Sequence, residues 1–246
     1  MADDGASGER STRAHNRIHV SPLSPYERRA LDWLAPRLPA WVTPDMLTAF
    51  GLFGACVTCL GYGLCGVSPQ FLWLASAGLG MHWFGDSLDG GLARYRRIER
   101  PRYGFFLDQN IDVFGNLLIV CGLAASPFVR FEPAALALFG YQALSIYVLV
   151  RFSLDGVFRL TVLNSGPTEV RVMLLVMNAL ILIFGAPMWS LQEVSFSWCD
   201  LAVGVFGLGC FGSFAGLIAV EAPLMRQEDD RARRERAAAA PDDVVD

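Results

Sequence analysis

Four aspartates carry the most chemical information in this chain: Asp86, Asp89, Asp108 and Asp112. Asp86 and Asp89 are three residues apart and Asp108 and Asp112 four apart, so each pair falls on one face of a helix. An Arg-rich stretch between the pairs leaves room for a short turn. The two helices then run as antiparallel neighbours, and all four carboxylates can meet. Such a cluster repels itself unless a positive charge compensates it. Oxygen-only ligation suits hard cations, Mg²⁺ or Mn²⁺, rather than zinc. Asp108 and Asp112 begin a helix, where the macrodipole favours them, whereas Asp86 and Asp89 end one, where it does not. The Asp86–Asp89 pair, at the helix end, therefore needs the metal more. Gly90 and Ala93 follow on the next turn, small enough to let a ligand approach the helix backbone. Arg94 is placed to neutralise a phosphate beside the metal. Metal, small residues and Arg together read as a nucleotide diphosphate site.

The elements that must position these residues are membrane helices. The chain has 246 residues, 53% of them hydrophobic and 18% charged, with a mean hydropathy of +0.38. A soluble domain of this length carries about a quarter charged residues. Long uncharged runs lie over 46–67, 71–85, 113–129, 133–150, 172–192 and 201–220, several near the ~20 residues a helix needs to cross a bilayer. We read six spans, about 46–66, 71–93, 104–126, 133–152, 169–189 and 200–221. The second is long enough only if it continues through Asp86 and Asp89, and the third only if it includes Asp108 and Asp112. Acids at that depth are costly and mark function.

All 20 basic residues are Arg. They gather before the first span, between the second and third, around the fourth-to-fifth connection and after the sixth. The alternate loops hold only Arg130. The positive-inside rule then puts both termini and the acidic cluster on the cytoplasmic side. Residues 23–38 read as an interfacial helix, with Leu31, Leu34 and Leu38 at helical spacing, Trp33 near the boundary and Arg28 and Arg29 toward water. The expected organisation is a disordered cytoplasmic lead (1–22), a six-span domain (23–222) and a disordered cytoplasmic tail (223–246). No signal peptide is read at the amino end. The fold class is therefore all-α integral membrane, six transmembrane helices with an amino-terminal interfacial helix. Cys56 and Cys59 have a C-x-x-C spacing, but without a second pair or nearby His they read as small packing residues.

The run Asp86-Ser-Leu-Asp89-Gly90-Gly-Leu-Ala93-Arg94, then Gly104-Phe-Phe-Leu-Asp108-Gln-Asn-Ile-Asp112, resembles the signature of the CDP-alcohol phosphotransferase (CDP-alcohol phosphatidyltransferase) family. Every fixed position of D-x-x-D-G-x-x-A-R and G-x-x-x-D-x-x-x-D is matched. The resemblance implies metal ligation by Asp86, Asp89, Asp108 and Asp112, to Mg²⁺ or Mn²⁺ and with two ions. It makes Asp112 the catalytic base and sets Gly90, Ala93 and Arg94 around CDP. Thr43-Pro44-Asp45-Met46-Leu47-Thr48 resembles the family's P-N-x-[ILV]-T segment, with Thr48 at the nucleotide and Asp45 in place of the usual Asn; Thr43 and Pro44 also read as a helix cap and first position. The implied reaction, in phospholipid biosynthesis, moves a substituted phosphate from a CDP-alcohol to an acceptor hydroxyl and releases CMP. The implied setting is a homodimer in the bacterial inner membrane.

Two other classes fit part of the pattern. Intramembrane prenyltransferases also bind diphosphates through Asp-rich motifs, but their motifs lie much farther apart in sequence. A divalent-metal transporter would place its acids near the membrane midplane. Nucleic acid is not an expected partner, because acids precede and interrupt the Arg-rich run 231–236 and no aromatic residues accompany it. Arg151, Arg159 and Arg171, with Thr168 and Glu169, are candidates for an acceptor pocket, or simply for the basic cytoplasmic rim. His82 reads either as a partner of Asp86 or as a helix-packing residue. Gly166-Pro167-Thr168-Glu169 and Trp41-Val42-Thr43-Pro44 resemble the branch that transfers choline or ethanolamine phosphate, yet that branch commonly has His where this chain has Gln109.

Overall fold

A computed structural model describes residues 17–18, 23–155, 158–159, 166–191 and 194–239. Most of the expected lead (1–16 and 19–22) and the last residues of the tail (240–246) lie outside the described residues. Element β1 (Arg17–Ile18) precedes α1 (Ser24–Leu34), and a single 3₁₀ turn over Ala35–Arg37 follows. Then come α2 (Pro44–Leu64), α3 (Leu72–Arg96), α4 (Pro101–Ala125) and α5 (Phe131–Asp155). Strand β2 (Phe158–Arg159), α6 (Pro167–Phe184), β3 (Met188–Leu191), β4 (Val194–Ser197) and α7 (Trp198–Ala239) complete the order.

The architecture is helical. Its exceptions are a parallel pairing of β1 with β2 and a β3–β4 antiparallel hairpin between α6 and α7. Among the described residues five helices are long and apolar enough to cross a membrane: α2, α4, α5, α6 and α7. Large apolar side chains such as Trp73, Phe139, Ile183 and Leu208 point outward, as lipid-facing positions do, and the molecule reads as an integral membrane protein. The remaining expected span, α3, is not among those five helices. That helix has 25 residues, about 37 Å at 1.5 Å per residue, but its last turns carry Asp86, Asp89, Arg94 and Arg96. Its apolar part alone falls short.

Helices pack here through small residues, because lipid offers no hydrophobic drive for helices to associate and close backbone approach supplies dispersion instead. A Cβ added at Gly54 would come 2.4 Å from the His82 backbone nitrogen, and one at Gly85 would come 2.4 Å from that of Gly51. Gly78 meets Thr58 and Gly61 meets Ala75 in the same way. The α2–α3 seam is thus a zipper of Gly, Ala and Thr. Gly122 brings α4 against Cys59 of α2, and Gly207 brings α7 against Ala137 of α5. Cys59 is therefore a packing position, and the cysteines are free thiols.

The main core joins Ala55 and Tyr62 of α2, Leu79 of α3, Ile119 and Leu123 of α4, Met177 and Ile181 of α6 and Val203 of α7. A polar thread runs through it: the Tyr62 hydroxyl donates to Asn178 Oδ1 (3.0 Å), and Asn178 Nδ2 donates to Ser76 Oγ (3.0 Å). At the far end Ser197 caps α7. Its hydroxyl accepts the Asp200 N–H while Asp200 Oδ2 accepts the Ser197 N–H, a reciprocal capping box.

Residues 23–38 do form a helix followed by a 3₁₀ turn. Leu31, Leu34 and Leu38 face the bundle, packing with Ala35, Val42, Leu47, Leu88 and Leu92, while Trp33, Arg28 and Arg29 are exposed. The tail differs from expectation: α7 continues unbroken through Ala239, with Pro223 inside it. Residues 224–239 hold five Arg, four Ala and two Glu, strong helix formers, so propensity sustains a helix where low apolar content suggested none.

Candidate metal and nucleotide site

The site forms where α3 ends and α4 begins. Arg97 stops α3 by adopting φ 56°, ψ 39°, and its N–H and that of Ile98 return to Arg94 and Ala93 carbonyls. This left-handed cap costs a non-glycine residue about 1–2 kcal/mol. Pro101 then opens α4 at a position where a missing N–H costs nothing. Arg96 locks the end of α3 in place. Its guanidinium donates to the carbonyls of Leu38 (3.1 Å), Pro39 (2.8 Å), Ala40 (3.3 Å) and Val42. Nothing in its spacing distinguished Arg96 from the other arginines of the turn.

With the helices so placed, Asp86 of α3 and Asp108 and Asp112 of α4 converge. Each offers one carboxylate oxygen, and these oxygens all lie within 4.8 Å of one another. All three side chains are half-buried. A cleft lined by Thr48, Gly51, His82, Asp86, Asp108 and Ile111 opens beside them. Three convergent carboxylate oxygens and no nitrogen or sulfur donor make a set that fits a hard divalent cation.

Asp89 stands apart from this trio. The Thr48 hydroxyl donates to Asp89 Oδ2 (2.6 Å), and the Gly90 N–H donates to Oδ1 (2.5 Å). The expected group of four is thus three in contact and a fourth held by α2. Thr48 Oγ1 also lies 3.2 Å from the Pro44 carbonyl. Gly90 lies under Arg94, whose Nη1 would be 3.3 Å from an added Cβ. Ala93 is half-buried one turn further on. Thr43 caps α2 by accepting the Met46 N–H (3.2 Å), with Pro44 at the first position, as the sequence predicts. Asp45 pairs with Arg100 of the α3–α4 turn at 2.6 Å.

Among the described residues, the suggested acceptor group has several separate partners. Arg171 is buried and reaches Asp86 Oδ2 at 2.5 Å, inside the acidic site. Arg151 pairs with Glu221 of α7 at 3.0 Å. Glu169 accepts the Gly166 N–H at 2.8 Å, and the Thr168 hydroxyl donates to Glu27 at 2.9 Å. The Arg159 side chain lies outside the described residues. His82 takes the packing role: its ring is buried, Nδ1 faces the Gly51 carbonyl (3.2 Å) and Nε2 faces Arg171 (3.4 Å). Glu27 had no signal in the sequence. Its Oε1 accepts from Trp83 Nε1 (3.1 Å), Ser87 Oγ (2.8 Å) and Thr168 Oγ1 (2.9 Å), tying α1 to α3 and α6.

Fold and site together define a class: a polytopic helical membrane protein with a carboxylate cluster, of a kind suited to a hard cation, where two consecutive helices meet. Comparison with known sequences resolves that class further. Residues 41–207 match the family model for CDP-alcohol phosphatidyltransferase, so the chain belongs to that family. It is 33% identical over 125 residues to an archaetidylinositol phosphate synthase of Methanothermobacter thermautotrophicus, a match covering 50% of this chain and 59% of that protein. It is 39% identical over 88 residues to a phosphatidylinositol phosphate synthase of Cutibacterium acnes, covering 35% and 40%. An archaetidylinositol phosphate synthase of Pyrococcus horikoshii is 30% identical over 138 residues, covering 56% and 70%. The chain thus spans less than two thirds of the length of each of the first two relatives.

Proposed function

We propose that this protein transfers a substituted phosphate from a CDP-alcohol to an acceptor hydroxyl, releasing CMP, as a step in phospholipid biosynthesis. The observation that carries the reading is the convergence of Asp86, Asp108 and Asp112 from α3 and α4, at the spacing of the family's signature and within the residues matched to its model. Asp86, Asp108 and Asp112 would hold Mg²⁺ or Mn²⁺. Asp89, poised on Thr48, would join a second ion. When bound, the metal screens the donor's diphosphate and the charge developing on departing CMP.

Arg94, Gly90 and Ala93 receive the diphosphate: the guanidinium offsets charge, and the small residues admit the phosphates to the helix surface. Asp112 takes the proton of the acceptor hydroxyl as its oxygen attacks the phosphorus distal to cytidine. The new O–P bond forms while the P–O bond to CMP breaks. Positioning and electrostatics supply most of the acceleration, as in other phosphoryl transfers. Six crossings are proposed, α3 completing the set, with both termini and the site facing the cytoplasm of a bacterial inner membrane, in a homodimer. The Arg distribution supports this orientation, and the clustering of acids at two helix ends disfavours a transporter's midplane site.

The test is CMP release by purified protein in lipid with Mg²⁺ or Mn²⁺. Donors are CDP-diacylglycerol, CDP-choline and CDP-ethanolamine. The acceptor panel starts with an inositol phosphate, after the names of the relatives, and includes diacylglycerol, after the Gly166–Glu169 resemblance. Metal-dependent release lost in Asp112→Asn supports the reading. No release from any pair, and no binding of CDP by folded protein, overturns it.

A further inference from the structure

We propose that Arg171 is a built-in counter-cation of the acidic site, holding Asp86 in the metal-free protein and yielding that contact when a divalent ion enters. The inference rests on the metal-site reading above and deepens it. Three half-buried carboxylates this close repel unless a cation or a shared proton offsets them. Arg171 supplies it from α6, a helix that contributes none of the acids. Its side chain is only 9% exposed, and Nη2 lies 2.5 Å from Asp86 Oδ2.

A divalent ion held by the trio would share Asp86 with that guanidinium. The two cations then repel across a partly dry site, so full occupancy of one opposes full contact of the other. Arg171 also has somewhere to remain. Nε2 of His82 is 3.4 Å from the same Nη2, and with the His82 Nδ1–H donating to the Gly51 carbonyl (3.2 Å), Nε2 is left as an acceptor. His82 is in turn wedged against Gly115 of α4, where an added Cβ would meet its ring at 3.0 Å. The ring therefore offers Arg171 a fixed second partner one turn away from Asp86. Such an arrangement keeps the acids together without metal, at the cost of weaker metal binding.

The experiment uses full-length protein in lipid nanodiscs, with Mn²⁺ as probe. Free Mn²⁺ is read by electron paramagnetic resonance, and melting is followed in chelator and in Mn²⁺. For Arg171→Met, Mn²⁺ binding should tighten roughly tenfold, the scale on which one adjacent charge moves a charged group. Melting should fall in chelator and recover with Mn²⁺. Arg171→Lys keeps the charge but loses the planar fork, and it should bind Mn²⁺ with an affinity between the other two. It serves as the readout if the Met variant does not fold. Equal or weaker Mn²⁺ binding in the variants overturns the role of Arg171 and leaves the metal site standing. No Mn²⁺ binding to the wild type overturns the metal-site reading itself.

Discussion

The Thr48 hydroxyl lies 2.6 Å from Asp89 Oδ2, joining α2 to the one acid of the signature that stands outside the Asp86–Asp108–Asp112 trio. A hydrogen bond to a charged group contributes about 1.5–3 kcal/mol. Thr48→Val keeps the shape and removes the donor. CMP release should fall by roughly ten- to a hundredfold if the bond fully serves the transition state, and Thr48→Ser should restore most of it. Unchanged release in the Val variant would show that Asp89 needs no such support.

Glu27 predicts a link between α1 and the bundle. One carboxylate oxygen accepts donors from Trp83, Ser87 and Thr168, and Ser87 neighbours Asp86 in sequence. Glu27→Gln retains an oxygen acceptor and should keep most activity. Glu27→Ala leaves the three donors to water or to nothing, and should raise hydrogen exchange through 24–38 and lower CMP release severalfold. Exchange in that segment identical to wild type would count against the link.

The α2–α3 zipper predicts a sharp contrast between glycines on one helix. Gly54→Ala places a methyl where the His82 nitrogen lies 2.4 Å away, whereas Gly63 has open space around it. Overpacking of this kind costs about 1–3 kcal/mol. Thermal melting in lipid should drop for Gly54→Ala and stay near wild type for Gly63→Ala. Equal melting of the two would mean that the seam relaxes freely.

Asp45 replaces the Asn of the family's segment, and here it answers Arg100 at 2.6 Å with both side chains about half exposed (44% and 52%). Exposed ion pairs contribute little to stability, because water and salt screen them. Asp45→Asn should therefore leave melting almost unchanged. If the segment touches the nucleotide, its signature will be a changed KM for the CDP donor. A fall in melting of many degrees would instead make the pair structural.

Much of the site was legible because its information is local. Asp86 to Asp89 and Asp108 to Asp112 are within a helical turn of each other, and helical periodicity alone puts each pair on a face. The Arg97–Pro101 stretch between them had room only for a turn, so the antiparallel approach of α3 and α4 followed. Thr43 and Pro44 likewise announced the start of α2 by their chemistry. The helical content of 224–239 was less legible, since low apolar content argues against burial but not against helix.

What the linear chain determined, then, was the all-helical membrane architecture, the approach of α3 to α4 and the kind of cation their acids suit. Hydropathy, helical spacing and carboxylate chemistry are properties of neighbouring residues. Tertiary structure alone decided which acid stands apart and which cation answers the trio. Thr48 reaches Asp89 across 41 positions and Arg171 reaches Asp86 across 85, and Glu27 meets Thr168 across 141. Those contacts depend on how closely Gly51, Gly54, Gly78 and Gly85 let α2 and α3 approach, and on where α6 docks against them. No spacing rule encodes such distances, because they are set by the packing of whole helices rather than by the turn to which a residue belongs.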